Sequence, residues 1–277
     1  MPRISFQDVA DQLRHVDDPD VLAKVQGNMA LSIALDMSRP VNWRGTGLTP
    51  RDILPVARDS GIPIAWVPPP YVLCLLVSAE PANRMAVLRA HAADILVQCG
   101  SLVTECRDGW LGDDPLLVRR AIDAFKAGHH EAAMALAVAV GESLARWASE
   151  ERVYMFASEA DKRTWERERK EAREDKSKYT LAKWELAAVG TRQDLDRVEV
   201  LRHALIGPVP KFFAPYRGMP GEEIPDTASR HATVHHPTAA HLTPENALLA
   251  IMLCISILRE QQAWCEERDA EWANAQD

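Results

Sequence analysis

The segment Ser229–Pro237 holds the residue types best suited to chemistry in this chain. Within seven positions it places Arg230 together with His231, His235 and His236. A guanidinium is permanently charged and can hold a phosphate through two hydrogen bonds. An imidazole titrates near neutral pH and can move a proton to or from a ribose hydroxyl. The segment therefore predicts a site for phosphodiester cleavage, which needs no metal when the nucleophile is the substrate's own 2′-hydroxyl.

Two other interpretations use the same residues. In the first, Arg230 and His235 are structural caps that bind helix carbonyls or other backbone groups. In the second, four histidines are metal ligands: His231, His235, His236 and His241. Pro237 must end the helix that would align them, and no nearby cysteine or close carboxylate pair completes a ligand set. We therefore predict no metal and no other cofactor.

The composition is typical of a globular protein. The 277 residues are 47% apolar and 26% charged, and the formal net charge is -8. This acidic balance argues against a protein that coats nucleic acid nonspecifically. The five cysteines have no Cys-x-x-Cys spacing, so we predict neither a disulfide framework nor a cysteine zinc site.

Targeting and membrane signals are not evident in the sequence. The first twenty residues contain charges and no apolar core segment of the kind a signal peptide has. The longest apolar run, Ala247–Leu258, is well short of the roughly 20 residues that a spanning helix needs. We expect a cytoplasmic protein that does not contact a membrane.

Helical periodicity dominates the chain and predicts an all-α protein. In the first half, apolar residues repeat every three or four positions from Met85 to Cys106, which predicts one long helix ending near Gly109. The apolar run Tyr71–Val77 fits either a strand or a buried helical turn. The polar turn Asp108–Asp114 predicts a boundary, with an N-terminal helical region of unknown role at 1–110 and a helical domain at 111–277.

The second domain is expected to begin with a helical hairpin. Asp114 and Pro115 start its first helix, Gly128 lies in the turn, and the second helix runs from about His130 to Trp147. A stretch rich in charges of both signs, at about 155–188, predicts an exposed helical insertion. Thr243 and Pro244 then cap a long, apolar last helix.

Arg230 and His235, with four residues between them, resemble the signature of the HEPN-domain family. Members of that family occur among prokaryotic toxin and phage-defence ribonucleases. They favour a polar residue directly after the arginine, as His231 is here, and a long apolar helix after the signature, as Ala247–Leu258 provides. The helical hairpin at 114–147 also resembles the first helix pair of that family.

The resemblance implies an all-α, HEPN-like helical bundle and a metal-independent endoribonuclease. His235 would act as general base toward a ribose 2′-hydroxyl, and Arg230 would bind the phosphate and stabilise its developing charge. His231 would orient the site or serve as an acid partner. The product would carry a 2′,3′-cyclic phosphate. The family also implies a homodimer whose two signatures face one cleft, a toxin or phage-defence setting, and a neutralising protein partner.

Residues before and after the signature complete the predicted site. Basic and aromatic side chains precede it and could hold single-stranded RNA, and we single out as substrate-binding residues Lys211, Tyr216, Arg217 and His236. The alternative for the neighbouring Phe212 and Phe213 is ordinary core packing. Glu142 either pairs with Arg230 or is an ordinary surface carboxylate.

Two functions of different classes remain at this point. The first is the endoribonuclease. The second is a non-catalytic, HEPN-like helical scaffold that binds a nucleotide, RNA or a protein partner. Arg230 and His235 should lie together and meet solvent if the protein is an enzyme, and both should be buried if it is a scaffold.

Overall fold

The described part of the chain consists of helices and the turns that join them. The computed structural model describes residues 40–146 and 204–274, together with positions 163 and 201, and gives the backbone alone at 267–268 and 271–274. No strand occurs in these ranges, so the all-α prediction is confirmed for them. The predicted charged insertion at 155–188 falls almost wholly outside the described residues.

The helices, numbered in chain order, are α1 (Pro50–Ser60), α2 (Pro70–Ser78), α3 (Arg84–Ala90), α4 (Ala92–Glu105), α5 (Asp114–Lys126), α6 (His130–Arg146), α7 (Val209–Phe212), α8 (Arg230–Val234) and α9 (Pro244–Asn274). Short 3-10 turns lie at Val41–Trp43, Pro81–Asn83 and Gly109–Leu111. The run Tyr71–Val77 is therefore helical, and it lies within α2.

Local sequence signals start and end several of these helices. At the start of α1, the Asp52 carboxylate accepts the Thr49 backbone N–H at 2.7 Å and the Thr49 hydroxyl at 2.6 Å. These bonds lower the pKa of Asp52, and they satisfy a donor that the helix itself leaves without a partner. Gly128, with φ of 83°, makes the turn between α5 and α6 that the sequence predicts.

The single long helix predicted between Met85 and Cys106 is wrong. The structure has two helices, α3 and α4, which meet at His91 with a bend of 72°. His91 has φ of −113° and ψ of 16°, outside the helical range, and its N–H bonds to the Val87 carbonyl. Leu88 lies before the bend and Ile95 after it, and both side chains are buried. The apolar repeat therefore continues through the bend.

Helix α9 forms the centre of the core. Its segment Ala247–Leu258 is buried along almost its whole length and packs against α6, α5, α4 and α3. Because every face of this segment meets another helix, it is apolar all round rather than amphipathic. The segment is therefore the buried helix against which the shorter helices pack.

Helices α6 and α9 come very close together at Gly141. A Cβ atom at that position would lie 3.4 Å from Cys254 Sγ and 3.4 Å from Phe212 Cζ. The Cys254 thiol also donates a hydrogen bond to the Ala137 carbonyl at 3.1 Å. Burial in this contact raises the pKa of the Cys254 thiol far above its ordinary value, so the thiol is a packing group.

The described part of the predicted N-terminal region packs on α9 as well. Trp66 Nε1 donates to Glu260 Oε2 at 3.1 Å, and Gln262 Oε1 accepts the backbone N–H groups of Arg107 and Asp108, each at 2.9 Å. Buried apolar side chains on both sides of residue 110 belong to one continuous cluster. The domain boundary near that residue stays a prediction.

The segment Pro244–Glu266 is long and apolar enough to cross a membrane, judged by length and composition. In the structure, 83% of its most apolar window is buried inside the fold. Core helices of proteins without a membrane meet the same two criteria.

Candidate functional site

Arg230 is the first residue of α8, and the local sequence fixes where that helix begins. Ser229 is its N-cap, and Ser229 Oγ accepts the Ala232 backbone N–H at 3.3 Å. Pro237 lies three residues beyond the last helical residue, as expected for a residue that cannot continue a helix. The sequence thus specifies a single short helix that carries Arg230 at one end and His235 at the other.

The guanidinium of Arg230 is held by Glu142 of α6. Arg230 Nε donates to Glu142 Oε2 at 2.7 Å, and both side chains are 23% exposed. Of the two alternatives left open for Glu142, the structure has the pairing with Arg230. A carboxylate on Nε fixes the plane of the guanidinium and leaves its two terminal nitrogens directed elsewhere.

His235 lies beside that guanidinium and is exposed to solvent. Arg230 Nη1 and His235 Nε2 are 3.5 Å apart, which is a long hydrogen bond. An arginine nitrogen can only donate, so His235 Nε2 accepts and its lone pair points toward the guanidinium. An imidazole nitrogen that accepts a hydrogen bond has the lone pair that a general base uses.

His231 lies one helical turn before His235 on the same face of α8. The two ring centroids are 5.7 Å apart. Burial lowers the pKa of His231, and the charges of Arg230 and His235 lower it further. His231 is therefore mostly neutral at neutral pH, which favours a role in orienting the site over a role as a proton donor.

Sequence reasoning did not single out Arg146, which belongs to the same cluster. Arg146 Nη2 donates to Glu142 Oε1 at 2.9 Å, so the carboxylate binds one arginine through each oxygen. Burial raises the pKa of Glu142, but the hydrogen bonds and charges of Arg230 and Arg146 bring it below its ordinary value. The signal that could have found Arg146 is its position four residues after Glu142 on α6.

His236 is held at the opposite end of α8 by a turn that precedes it in sequence. Its ring meets Tyr216 edge to face, with centroids 5.8 Å apart and planes at 87°. A Cβ on Gly218 would lie 2.9 Å from His236 Nδ1. The turn itself is fixed by the Glu222 carboxylate, which accepts the backbone N–H groups of Arg217 and Met219, each at 3.0 Å.

The predicted substrate-binding residues therefore have different surroundings. His236 is half-buried beside Tyr216, and the Arg217 side chain is exposed. Tyr216 is only 8% exposed, so it supports His236 and has little surface left for stacking on a base. Lys211 packs its aliphatic chain against Gly61 and lies near Asp59, and within the described residues it forms no hydrogen bond or ion pair with the signature.

Phe212 and Phe213 belong to the core, which settles the alternative left open for them. They are 2% and 9% exposed and meet each other edge to face at 5.1 Å. Their burial anchors the segment that leads to Tyr216 and the Gly218 turn.

The interpretation of four histidines as metal ligands is not supported. His241 is fully buried, its Nδ1 lies 3.2 Å from the Pro225 carbonyl oxygen, and its Nε2 lies 3.3 Å from Thr233 Oγ1. Both ring nitrogens therefore bind protein groups and join α8 to the start of α9. In the part of the chain that the structure describes, no group of three or more His, Cys, Asp or Glu side chains could hold a metal ion.

The comparisons with known proteins give no match. No protein-family model matches the chain, and neither a curated protein nor a solved structure is similar to it. The Arg230 guanidinium and the His235 imidazole lie side by side, both reach solvent, and the Glu142 carboxylate fixes the guanidinium.

Proposed function

We propose that this chain is a metal-independent endoribonuclease of the HEPN type, which cleaves RNA through attack of the 2′-hydroxyl. The observation that carries the proposal is the contact between Arg230 Nη1 and His235 Nε2 at 3.5 Å in a solvent-exposed position. The two residues are those of the predicted signature, and neither is buried as a scaffold would require.

The reaction uses the substrate's own hydroxyl as nucleophile. His235 Nε2 removes the proton of the 2′-hydroxyl, and the 2′-oxygen forms a bond to phosphorus. The bond from phosphorus to the 5′-oxygen breaks, and that oxygen takes up a proton. The products are a 2′,3′-cyclic phosphate and a 5′-hydroxyl, with no oxidant, water or metal consumed in this step.

Arg230 stabilises the negative charge that develops on the phosphoryl oxygens. Glu142 holds the guanidinium through Nε, so the terminal nitrogens are in place before the substrate arrives. Preorganised donors of this kind lower the barrier because they do not have to reorient during the reaction. When a phosphate oxygen replaces His235 as the partner of Nη1, the imidazole lone pair becomes available to the 2′-hydroxyl.

The resemblance extends this proposal to the setting of the enzyme. It supports a cytoplasmic homodimer in a toxin or phage-defence system, with a protein partner that neutralises it and no cofactor. Exposed apolar side chains beside the site fit such contacts: Val234 precedes His235, and Met219 follows Gly218; they are 52% and 62% exposed. A second subunit or a neutralising partner would cover this apolar surface.

The second candidate is a non-catalytic helical scaffold that binds a nucleotide, RNA or a protein partner. It is favoured by the same ion pair, because a guanidinium that Glu142 holds in place can bind a ligand without taking part in a reaction. A scaffold needs the guanidinium for binding and has no use for the histidine lone pair. The two candidates therefore differ in what the loss of His235 does.

A cleavage assay on the full chain separates them. RNA labelled at one end is incubated with excess EDTA and the wild-type protein, the His235→Ala variant or the His129→Ala variant. His129 is an exposed histidine in the turn before α6, so it serves as the matched control. We expect cleavage by wild type and by H129A, and a loss of about 100-fold or more in H235A.

The control measurements are RNA binding and helicity. The scaffold candidate requires that none of the three proteins cleaves RNA and that the histidine changes leave any RNA binding unaltered. Cleavage that EDTA abolishes, or that persists unchanged in H235A, contradicts the ribonuclease proposal.

A further inference from the structure

We propose that His236 is the general acid of this site, and that it donates a proton to the 5′-oxygen as the leaving group departs. This inference rests on the ribonuclease proposal, and it gives His236 a catalytic role in place of simple substrate binding.

The displacement at phosphorus needs proton transfer from two directions. The attacking 2′-oxygen and the departing 5′-oxygen lie roughly in line on opposite sides of the phosphorus. One group must therefore take a proton on the first side, and another must supply one on the second. Arg230 cannot supply it, because a guanidinium does not deprotonate in a protein.

His231 and His235 lie on the same side. Their ring centroids are 5.7 Å apart, and the two residues, four positions apart, share one face of α8. A proton donor that approaches from the same side as the base does not face the oxygen on the far side of the phosphorus. The lowered pKa of His231, caused by burial and by Arg230, also leaves little of its protonated form near neutral pH.

His236 follows His235 directly, and its side chain diverges from that of its neighbour. Adjacent residues at a helix end do not project toward the same point. The His236 ring meets Tyr216 and Gly218, which belong to a separate segment, while His235 meets Arg230. The two imidazoles are thus attached to adjacent Cα atoms, about 3.8 Å apart, and extend in different directions.

The surroundings of His236 fix its ring. Tyr216 packs edge to face on it, and Gly218, with φ of 63°, leaves space that a Cβ would fill at 2.9 Å from Nδ1. Two N–H groups bound to Glu222 hold that turn in shape. A ring clamped on one side and half-exposed overall presents its other edge to solvent, as a proton donor to RNA must.

The decisive experiment uses two RNA substrates that differ in one atom. In the second, sulfur replaces the bridging 5′-oxygen at the cleavage site. A thiolate leaves without protonation because thiols are far more acidic than alcohols, so the second substrate needs no general acid. Both RNAs are cleaved in EDTA by wild type, His236→Ala and His235→Ala, and the single-turnover rates are compared.

The proposal predicts a selective rescue. H236A should lose about 100-fold or more on the oxygen substrate and should come within about fivefold of wild type on the sulfur substrate. H235A should be slow on both substrates, because each needs a base. If H236A is slowed equally on both substrates, His236 only binds RNA. If H236A cleaves the oxygen substrate at the wild-type rate, His236 is not needed for the reaction. Either result overturns the inference.

A wild-type protein that cleaves neither RNA overturns the ribonuclease proposal, and this inference with it. Wild-type cleavage of both RNAs without selective rescue overturns the role of His236 alone. The two failures are therefore distinguishable.

A matched pair of glycine variants tests the positioning turn. Gly218 and Gly221 both have positive φ, at 63° and 85°, but only Gly218 faces His236; a Cβ on Gly221 would meet nothing within 4 Å. Gly218→Ala should lower cleavage of the oxygen substrate and recover on the sulfur substrate, whereas Gly221→Ala, which has the positive-φ strain without the contact, should lower cleavage much less and show no selective recovery. Equal effects of the two variants on the oxygen substrate would show that the turn does not position His236.

Discussion

Replacing Glu142 by glutamine tests how Arg230 is held. The change keeps the shape of the side chain and removes the charge that binds Arg230 at 2.7 Å and Arg146 at 2.9 Å. A hydrogen bond to a charged group contributes about 1.5–3 kcal/mol, against about 0.5–1.5 kcal/mol for a neutral one. The difference, about 1–1.5 kcal/mol, corresponds to about a tenfold loss in kcat/KM when Arg230 is less well oriented.

The assay is a double-mutant cycle with Arg230→Ala. Removing a donor that stabilises transition-state charge costs about 100–1000-fold, so R230A alone should lose that much. If Glu142 acts through Arg230, the double variant should be no slower than R230A, because nothing is left to orient. Glu80→Gln, at an exposed carboxylate before the turn Pro81–Asn83, is the matched control and should not change the rate.

Full additivity would refute this reasoning. A tenfold loss from E142Q that persists in the R230A background would mean that Glu142 contributes independently of the guanidinium. Circular dichroism and the melting temperature of each variant show whether a loss arises from unfolding instead.

Three further predictions concern the fold and the surrounding charges. Burial lowers the pKa of His241, so the unfolded chain binds more protons than the folded chain. The free energy of unfolding should therefore fall as pH drops below about 6.5. In urea titrations from pH 7.5 to 5.5, His241→Gln should flatten this pH dependence, and an unchanged slope contradicts the prediction. Gly141→Leu should cost about 1–3 kcal/mol of stability by overpacking α6 against α9. Gly100→Leu should change the urea midpoint little, because a Cβ there would meet only the Lys126 ammonium, at 3.8 Å. Similar losses of stability in both variants would disprove the close contact at Gly141. Arg146 shares the Glu142 carboxylate with Arg230, so it lies beside the proposed phosphate site. If it contacts a phosphate there, Arg146→Gln should reduce the slope of log affinity for single-stranded RNA against log salt by about 0.7, and an unaltered slope would show that Arg146 does not contact RNA.

The sequence predicts the fold best where local signals and periodicity agree. Thr49 with Asp52, and Gly128 in the hairpin turn, mark the helix ends that the structure has. Periodicity could not show the bend at His91, because the buried positions continue in step across it. The run Tyr71–Val77 has no period, and only the packing around it decides that it is helical.

The candidate site was predictable in its residue types and only partly in its contacts. Arg230 and His235 lie at the two ends of one short helix, so the sequence places them near each other, and the end of the helix at Val234 decides that their side chains meet. Glu142 lies 88 positions from Arg230 in sequence, and a contact at that distance depends on how α6 packs against α8. Tyr216 was expected to bind RNA, yet it is buried and its ring packs edge to face against His236. No local sequence pattern shows this contact.

The most direct test of the central claim is the chemical identity of the RNA ends. The wild-type protein, incubated with a defined RNA oligonucleotide in excess EDTA, should give fragments whose masses show a 2′,3′-cyclic phosphate on one side and a 5′-hydroxyl on the other, and H235A should give neither. Fragments that end in a 3′-hydroxyl and a 5′-phosphate would contradict attack by the 2′-hydroxyl at Arg230 and His235. RNA that stays intact in the presence of correctly folded wild-type protein would contradict it as well.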